Sequence, residues 1–133
     1  MKKLLLVLPL LLSSCALYDA YFMAKFDVNE YQYITRIRTH AAIGLAACGT
    51  PEAAKAEANY IWVVANEYKN YAEMIPHNEN SFQLASTLST ITEEFHTRYQ
   101  GDKPVSAVYC KAKFTAIEKS SENIQRVLGA KPR

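Results

Sequence analysis

Four stretches of this chain repeat apolar residues every three or four positions, and short runs of helix-breaking residues separate them. That spacing matches one face of an α-helix, and no stretch alternates with a period of two for long enough to build a sheet. The first stripe is Ile34, Ile37, Ala41, Leu45 and Cys48. Asp27 and Glu30 form a plausible capping box ahead of it, and Gly49 suits its end near residue 47. Thr50-Pro51-Glu52 opens a second helix with a cap, a first-turn proline and an acid at the positive end of the dipole. Its stripe is Glu57, Ile61, Val64, Tyr68, Tyr71 and Ile75, and Pro76 to Asn80 breaks it. Asn80 with Gln83 can cap the third helix, whose stripe is Leu84, Leu88, Ile91, Phe95 and Tyr99. Ser86, Thr87, Ser89, Thr90 and Thr92 lower that helix's intrinsic propensity. After Gly101-Asp102-Lys103-Pro104, the fourth stripe takes Cys110, Phe114, Ile117, Ser121, Ile124 and Leu128, and Gly129 with Pro132 ends it. Four helices of similar length joined by short turns predict an all-α, up-down-up-down four-helix bundle over residues 28–129, with 130–133 as a tail.

The stretch before residue 28 reads differently. Met1-Lys2-Lys3 precedes an apolar run from Leu4 to Leu12, and Ser13 and Ser14 lead to Cys15. A basic start, a short apolar core and small residues before a break form a secretory signal pattern. Leu12-Ser13-Ser14-Cys15 resembles the lipobox of bacterial lipoproteins. The resemblance implies that residues 1–14 are a signal peptide and that Cys15 becomes the lipidated mature N-terminus, carrying palmitate-type acyl chains in the cell envelope. Residue 16 is Ala, not the Asp that resembles an inner-membrane retention signal, which implies the periplasmic face of the outer membrane. A transmembrane span running on through Ala24 is the competing reading. It would place Pro9 and Asp19 in hydrocarbon, where a central Asp costs about 2.5–3.5 kcal/mol. Residues 15–27 then form a tether or arm rich in aromatics, including Tyr18, Tyr21, Phe22 and Phe26. That arm can lie on the membrane interface or pack back on the domain.

Removing the signal leaves about 120 residues, one ordinary domain able to bury a core. The net charge of +2 comes from fifteen Lys and Arg against thirteen Asp and Glu, and Lys2 and Lys3 supply the whole excess. A neutral mature chain with interspersed signs has no electrostatic footprint for nucleic acid. Three cysteines are an awkward number for an exported protein. With Cys15 lipidated, Cys48 and Cys110 are free to pair in an oxidising compartment. The bundle topology brings the end of the first helix to the pole where the fourth begins, so a bridge is sterically reasonable. It would close a loop of about 60 residues, worth roughly 4 kcal/mol in the chain-entropy model. Two free buried thiols are the alternative.

Signals for chemistry are sparse. His40, His77 and His96 have no metal-ligand spacing among them. Glu93 and His96 make one Glu-x-x-His turn, the unit di-iron bundles use twice, but a second copy is missing. No nucleophile elbow, zincin motif or haem-attachment motif occurs, so neither a cofactor, a metal nor an enzymatic activity is expected. Recognition surfaces hold more promise. Trp62 and Val63 fall opposite the second helix's stripe among Asn66, Lys69, Asn70 and Glu73, and Trp is favoured where interface energy concentrates. The alternative is that the helix is buried more broadly and the aromatic arm covers that pair. His77 and Asn78 in the loop between the second and third helices are further contact candidates, although turn formation explains most of that loop. Tyr31, Tyr33, Tyr60, Tyr68, Tyr71, Tyr99 and Tyr109 either line a cleft or sit at the rim of the core with their hydroxyls reaching solvent or backbone.

A lipoprotein signal, a helical domain, Ile75-Pro76-His77-Asn78 between helices and Cys110-x-x-x-Phe114 near the end together resemble small lipoproteins of tailed phages. That resemblance implies export to the envelope of a Gram-negative cell and a receptor-blocking or lysis-assisting role. The chain lacks the proline-rich linker expected of an outer spanin, which argues against lysis. The expected function is a lipid-anchored periplasmic binding module acting on another envelope protein. The alternative is a periplasmic inhibitor or immunity protein against a secreted hydrolase.

Overall fold

A computed structural model describes residues 23–133. The signal peptide of residues 1–14, the lipidated Cys15 and the arm as far as Phe22 lie outside the described residues. Among those described there are four α-helices and no strand: α1 Val28–Ala46, α2 Pro51–Glu73, α3 Glu79–Gln100 and α4 Ala107–Gly129. A single 3-10 turn, Ala47–Gly49, joins α1 to α2. No described helix is long and apolar enough to cross a membrane.

Cross-helix contacts give the directions. His40 meets Glu57 between α1 and α2, and Asn66 meets Ser89 between α2 and α3. Glu94 faces Lys113 between α3 and α4, and Arg38 bonds Gln125 between α1 and α4. Near one end of the molecule Asn29 reaches Tyr71, and at the other Cys48 reaches Cys110. Neighbouring helices therefore run antiparallel, and α1 packs on both α2 and α4.

The disulfide forms as expected, with Cα atoms 5.7 Å apart. It joins the 3-10 turn after α1 to the first turns of α4. Both half-cystines are buried. The opposite pole gathers the start of α1, the α2–α3 turn and the C-terminus. We call it the proximal pole, because the chain from the N-terminus comes in there.

Each stripe meets the core differently. On α4 the buried residues are the six expected ones, from Cys110 to Leu128. On α1 Ile34, Ile37 and Ala41 are fully buried, but Gly44 takes the place given to Leu45, which is half-buried. A Cβ at position 44 would overlap the ring of Phe114, so glycine lets that ring seat. Phe114 in turn stands edge-on to Phe95, 4.8 Å between centroids. Gly44→Ala sets a helix-propensity gain of about 1 kcal/mol against an overpacking penalty of about 1–3 kcal/mol. Phe114 is fully buried and packed edge-on against Phe95, so the penalty is expected to win. A lowered urea midpoint is expected, for a net loss of up to about 2 kcal/mol; a raised midpoint would show that Phe114 can shift.

On α2 and α3 the buried faces are rotated from the apolar stripes. α2 buries Ala54, Ala58, Ala65 and Ala72 alongside Ile61, Val64 and Tyr68, whereas Glu57 and Tyr71 are half-buried. α3 buries Ser81, Ala85, Ser89 and Thr92 beside Leu88 and Phe95, and leaves Leu84, Ile91 and Tyr99 half-buried. Small residues let helices approach closely, and the hydroxyls find partners at the contact. Ser89 donates to Asn66 at 2.9 Å, and Thr92 to the Ser89 carbonyl at 2.9 Å. Close packing of α3 on α2 turns the larger Leu84 and Ile91 toward α4, and α3 and α4 approach each other least of the neighbouring pairs.

Candidate functional site

The proximal pole is built around an internal charge. Asp27 caps α1, its carboxylate accepting from the backbone N–H groups of Asn29 and Glu30. The reciprocal half of the capping box does not form, because the Glu30 side chain turns inward and is fully buried. Lys131 donates to Glu30 Oε2 at 2.7 Å and to Asn78 Oδ1 at 2.6 Å. Asn78 donates to Glu30 Oε1 at 2.8 Å and to the Ala72 carbonyl at 3.2 Å. Both carboxylate oxygens and both amide protons are thus engaged, as a buried ion pair requires. Three segments remote in sequence are tied at one point.

The tail, residues 130–133, folds back onto this pole: Lys131 is buried, the Pro132 carbonyl accepts from the Phe26 N–H at 2.8 Å, and the Arg133 guanidinium lies over the Phe26 ring. Asn78 does not display its amide as a contact residue, for it is only 4% exposed and held inside the network. It also takes the N-cap position expected of Asn80, with no side-chain capping bond, since its amide is engaged elsewhere. His77, by contrast, is exposed. It adopts φ 58°, an uncommon conformation for a residue with a Cβ, which reverses the chain between α2 and α3. Its carbonyl accepts from the Ala24 N–H at 3.2 Å. The segment from Ala24 to Asp27 therefore lies strapped between the α2–α3 turn and the C-terminus.

The tyrosines sit largely at the rim of the core, and Tyr68 departs from both expectations, its buried hydroxyl having no hydrogen-bond partner among the described residues. Tyr68 is fully buried, stacked on Tyr33 at 6.2 Å. Burial, and secondarily the Glu30 charge, push its hydroxyl well above the ordinary tyrosine range. Tyr71 sits at the rim and donates to Asp27 at 3.1 Å. Tyr31, Tyr33, Tyr99 and Tyr109 pack partly buried against the core.

Trp62 is half-buried and stacks on His96 of α3, 4.2 Å between centroids and 9° from parallel. Its cover is thus a neighbouring helix, a contact that helical spacing alone could not show. Val63 beside it is 40% exposed and Tyr60 36%. Tyr60 packs at a tilt against His40, whose Nδ1 lies 2.7 Å from Glu57. Glu93 is exposed, so the Glu-x-x-His turn does not point both side chains into the bundle. Among the described residues no group of three His, Cys, Asp or Glu side chains is placed to hold a metal ion.

The loose α3–α4 seam leaves an apolar groove of about 230 Å³. Leu84, Leu88 and Ile91 form one wall, Ile124 and Val127 the other, and Thr87, Ser120 and Asn123 complete the lining. Sequence reading placed Leu84 and Ile91 in the core, so it missed this surface. The signal available for it was the Ser/Thr/Ala face of α3, which packs more closely than a leucine face does. Comparison of the chain with known protein families, with curated proteins and with solved structures gives no match.

Proposed function

We propose that this protein is a lipid-anchored binding module of a bacterial envelope, held through Cys15 on the periplasmic face of the outer membrane and acting on another envelope protein. The observation that carries the reading is the Cys48–Cys110 disulfide. It accounts for two of the three cysteines, fits an oxidising compartment, and leaves Cys15, the residue in the lipobox-like motif, for lipid. Binding rather than catalysis is supported by where the reactive side chains go. His40 faces Glu57, His96 stacks on Trp62, and Glu30 holds Lys131, so these groups serve internal partners. The exposed Val63 and Tyr60 on α2 and the α3–α4 groove are the surfaces offered to a partner. The likeness to phage lipoproteins supports a receptor-blocking role of the superinfection-exclusion type.

The test compares wild type with Cys15→Ser in Gram-negative cells. Wild type is expected to take up labelled palmitate, fractionate with the outer membrane and lower phage plating by an order of magnitude or more. Cys15→Ser is expected to lose all three while remaining folded. Protection that survives Cys15→Ser would favour the soluble inhibitor or immunity reading instead.

A further inference from the structure

We propose that the proximal pole of the bundle rests directly on the bilayer, with Met23, Val28 and Met74 set into the boundary between headgroups and acyl chains. This rests on the lipid-anchor reading and adds to it a surface and an orientation. Met74 is 81% exposed, Val28 55% and Met23 47%. Hydrogen bonds bring them to one end of the molecule. Met74 caps α2, its N–H donating to Tyr71. Asp27 and Asn29, which flank Val28, both bond the Tyr71 hydroxyl. Ala24, next to Met23, bonds the carbonyl of His77, three residues beyond Met74. Val127 in the last turn of α4 is exposed near the same end, while Ile43 and Val63 stand singly along α1 and α2 and Val108 at the disulfide pole; single exposed apolar side chains are ordinary.

What covers the patch follows from the chain before it. Eight residue steps separate Cys15 from Met23, a reach of at most about 28 Å when fully extended. A lipid on Cys15 therefore keeps this pole beside the membrane. The exposed charges around it, Lys25 and Arg133 against Glu73 and Glu79, are balanced. Contact then depends on apolar insertion into the interface rather than on attraction to anionic lipid. Three such side chains bind weakly alone, and anchoring makes their insertion intramolecular. The bundle consequently stands on its proximal end, and the disulfide pole projects away by the length of α1, roughly 28 Å.

The lipidated chain, purified from membranes and reconstituted in phosphatidylethanolamine–phosphatidylglycerol vesicles, provides the test. A single thiol introduced as Met74→Cys, or as Val108→Cys at the disulfide pole, is labelled with an environment-sensitive fluorophore. Both sites are exposed, 81% and 79%, so neither substitution removes a core contact, and an intact Cys48–Cys110 bridge is verified by mass spectrometry before labelling. Nitroxide lipids are expected to quench the label at 74 about threefold or more beyond that at 108, with a blue shift only at 74. Equal quenching on protein that still floats with vesicles would overturn the pole contact while leaving the anchor intact. Protein that carries no acyl groups and does not float would overturn the anchor, and this proposal with it.

Discussion

Lys131→Met is expected to destabilise the fold by about 3–5 kcal/mol, because it strands a carboxylate in a site with no route to water. Glu30 lies in the first turn of α1 and is fully buried, so the helix backbone prevents its side chain from swinging out. Asn78 supplies one remaining hydrogen bond, which is too little for an ion in a low-dielectric site. Glu30→Gln leaves the converse orphan, but Lys131 lies beyond the last residue of α4, outside any helix, and can carry its ammonium back to water. That release detaches Pro132 from Phe26 and Arg133 from the Phe26 ring, so the loss is expected to be smaller, about 2–3 kcal/mol. The double variant Glu30→Gln with Lys131→Met removes both charges at similar volume, and should return to within about 1 kcal/mol of wild type. Urea denaturation of the four proteins gives the coupling energy. Additive single losses would mean that the pair is not electrostatically coupled.

The same residue shows how far the sequence can be read. Glu30 falls in register with Ile34, Ile37 and Ala41, so a position on the buried stripe held an acid. A local rule, the capping box, explained it without burial. The better inference was that a buried acid needs a cation, which Lys131 supplies from a segment read as a tail. The buried face of α4 was legible because Cys110, Phe114, Ile117, Ile124 and Leu128 share one stripe, with only Val108 and Val127 exposed off it. α2 and α3 were not, because alanine and serine pack closely without raising an apolar signal, and whichever face packs tightest becomes the core. Pairing of Cys48 with Cys110 followed from cysteine number and topology, both of which sequence carries. The Trp62–His96 stack depends on the relative rotation of two helices, which it does not. Of the candidate contact residues, Val63 and His77 are exposed, Trp62 is half covered, and Asn78 is internal.

Cys48→Ala with Cys110→Ala is expected to lower stability by about 4 kcal/mol, through the loop-closure entropy that the bridge removes from the unfolded chain. The closed segment spans a sequence separation of 62 and holds α2 and α3 entirely, so the unfolded ensemble gains much freedom when it opens. Each substitution removes a buried sulfur and leaves only the Cβ methyl, and the small voids add to the loss. The urea slope should steepen as well as the midpoint fall, since an unbridged unfolded chain exposes more surface. An unchanged midpoint and slope would mean that the α1–α4 packing alone holds that pole. The bridge and the Glu30–Lys131 pair clamp opposite ends of α1 and α4 and share no partner, so their losses should add within about 0.5 kcal/mol. Combining the cysteine pair with Lys131→Met therefore removes about 7–9 kcal/mol, against a total of roughly 5–15 kcal/mol for a domain. Circular dichroism of the combined variant at 37 °C is expected to show a largely unfolded chain. Retained helix signal with a cooperative melt would show that the two clamps overlap in what they restrain.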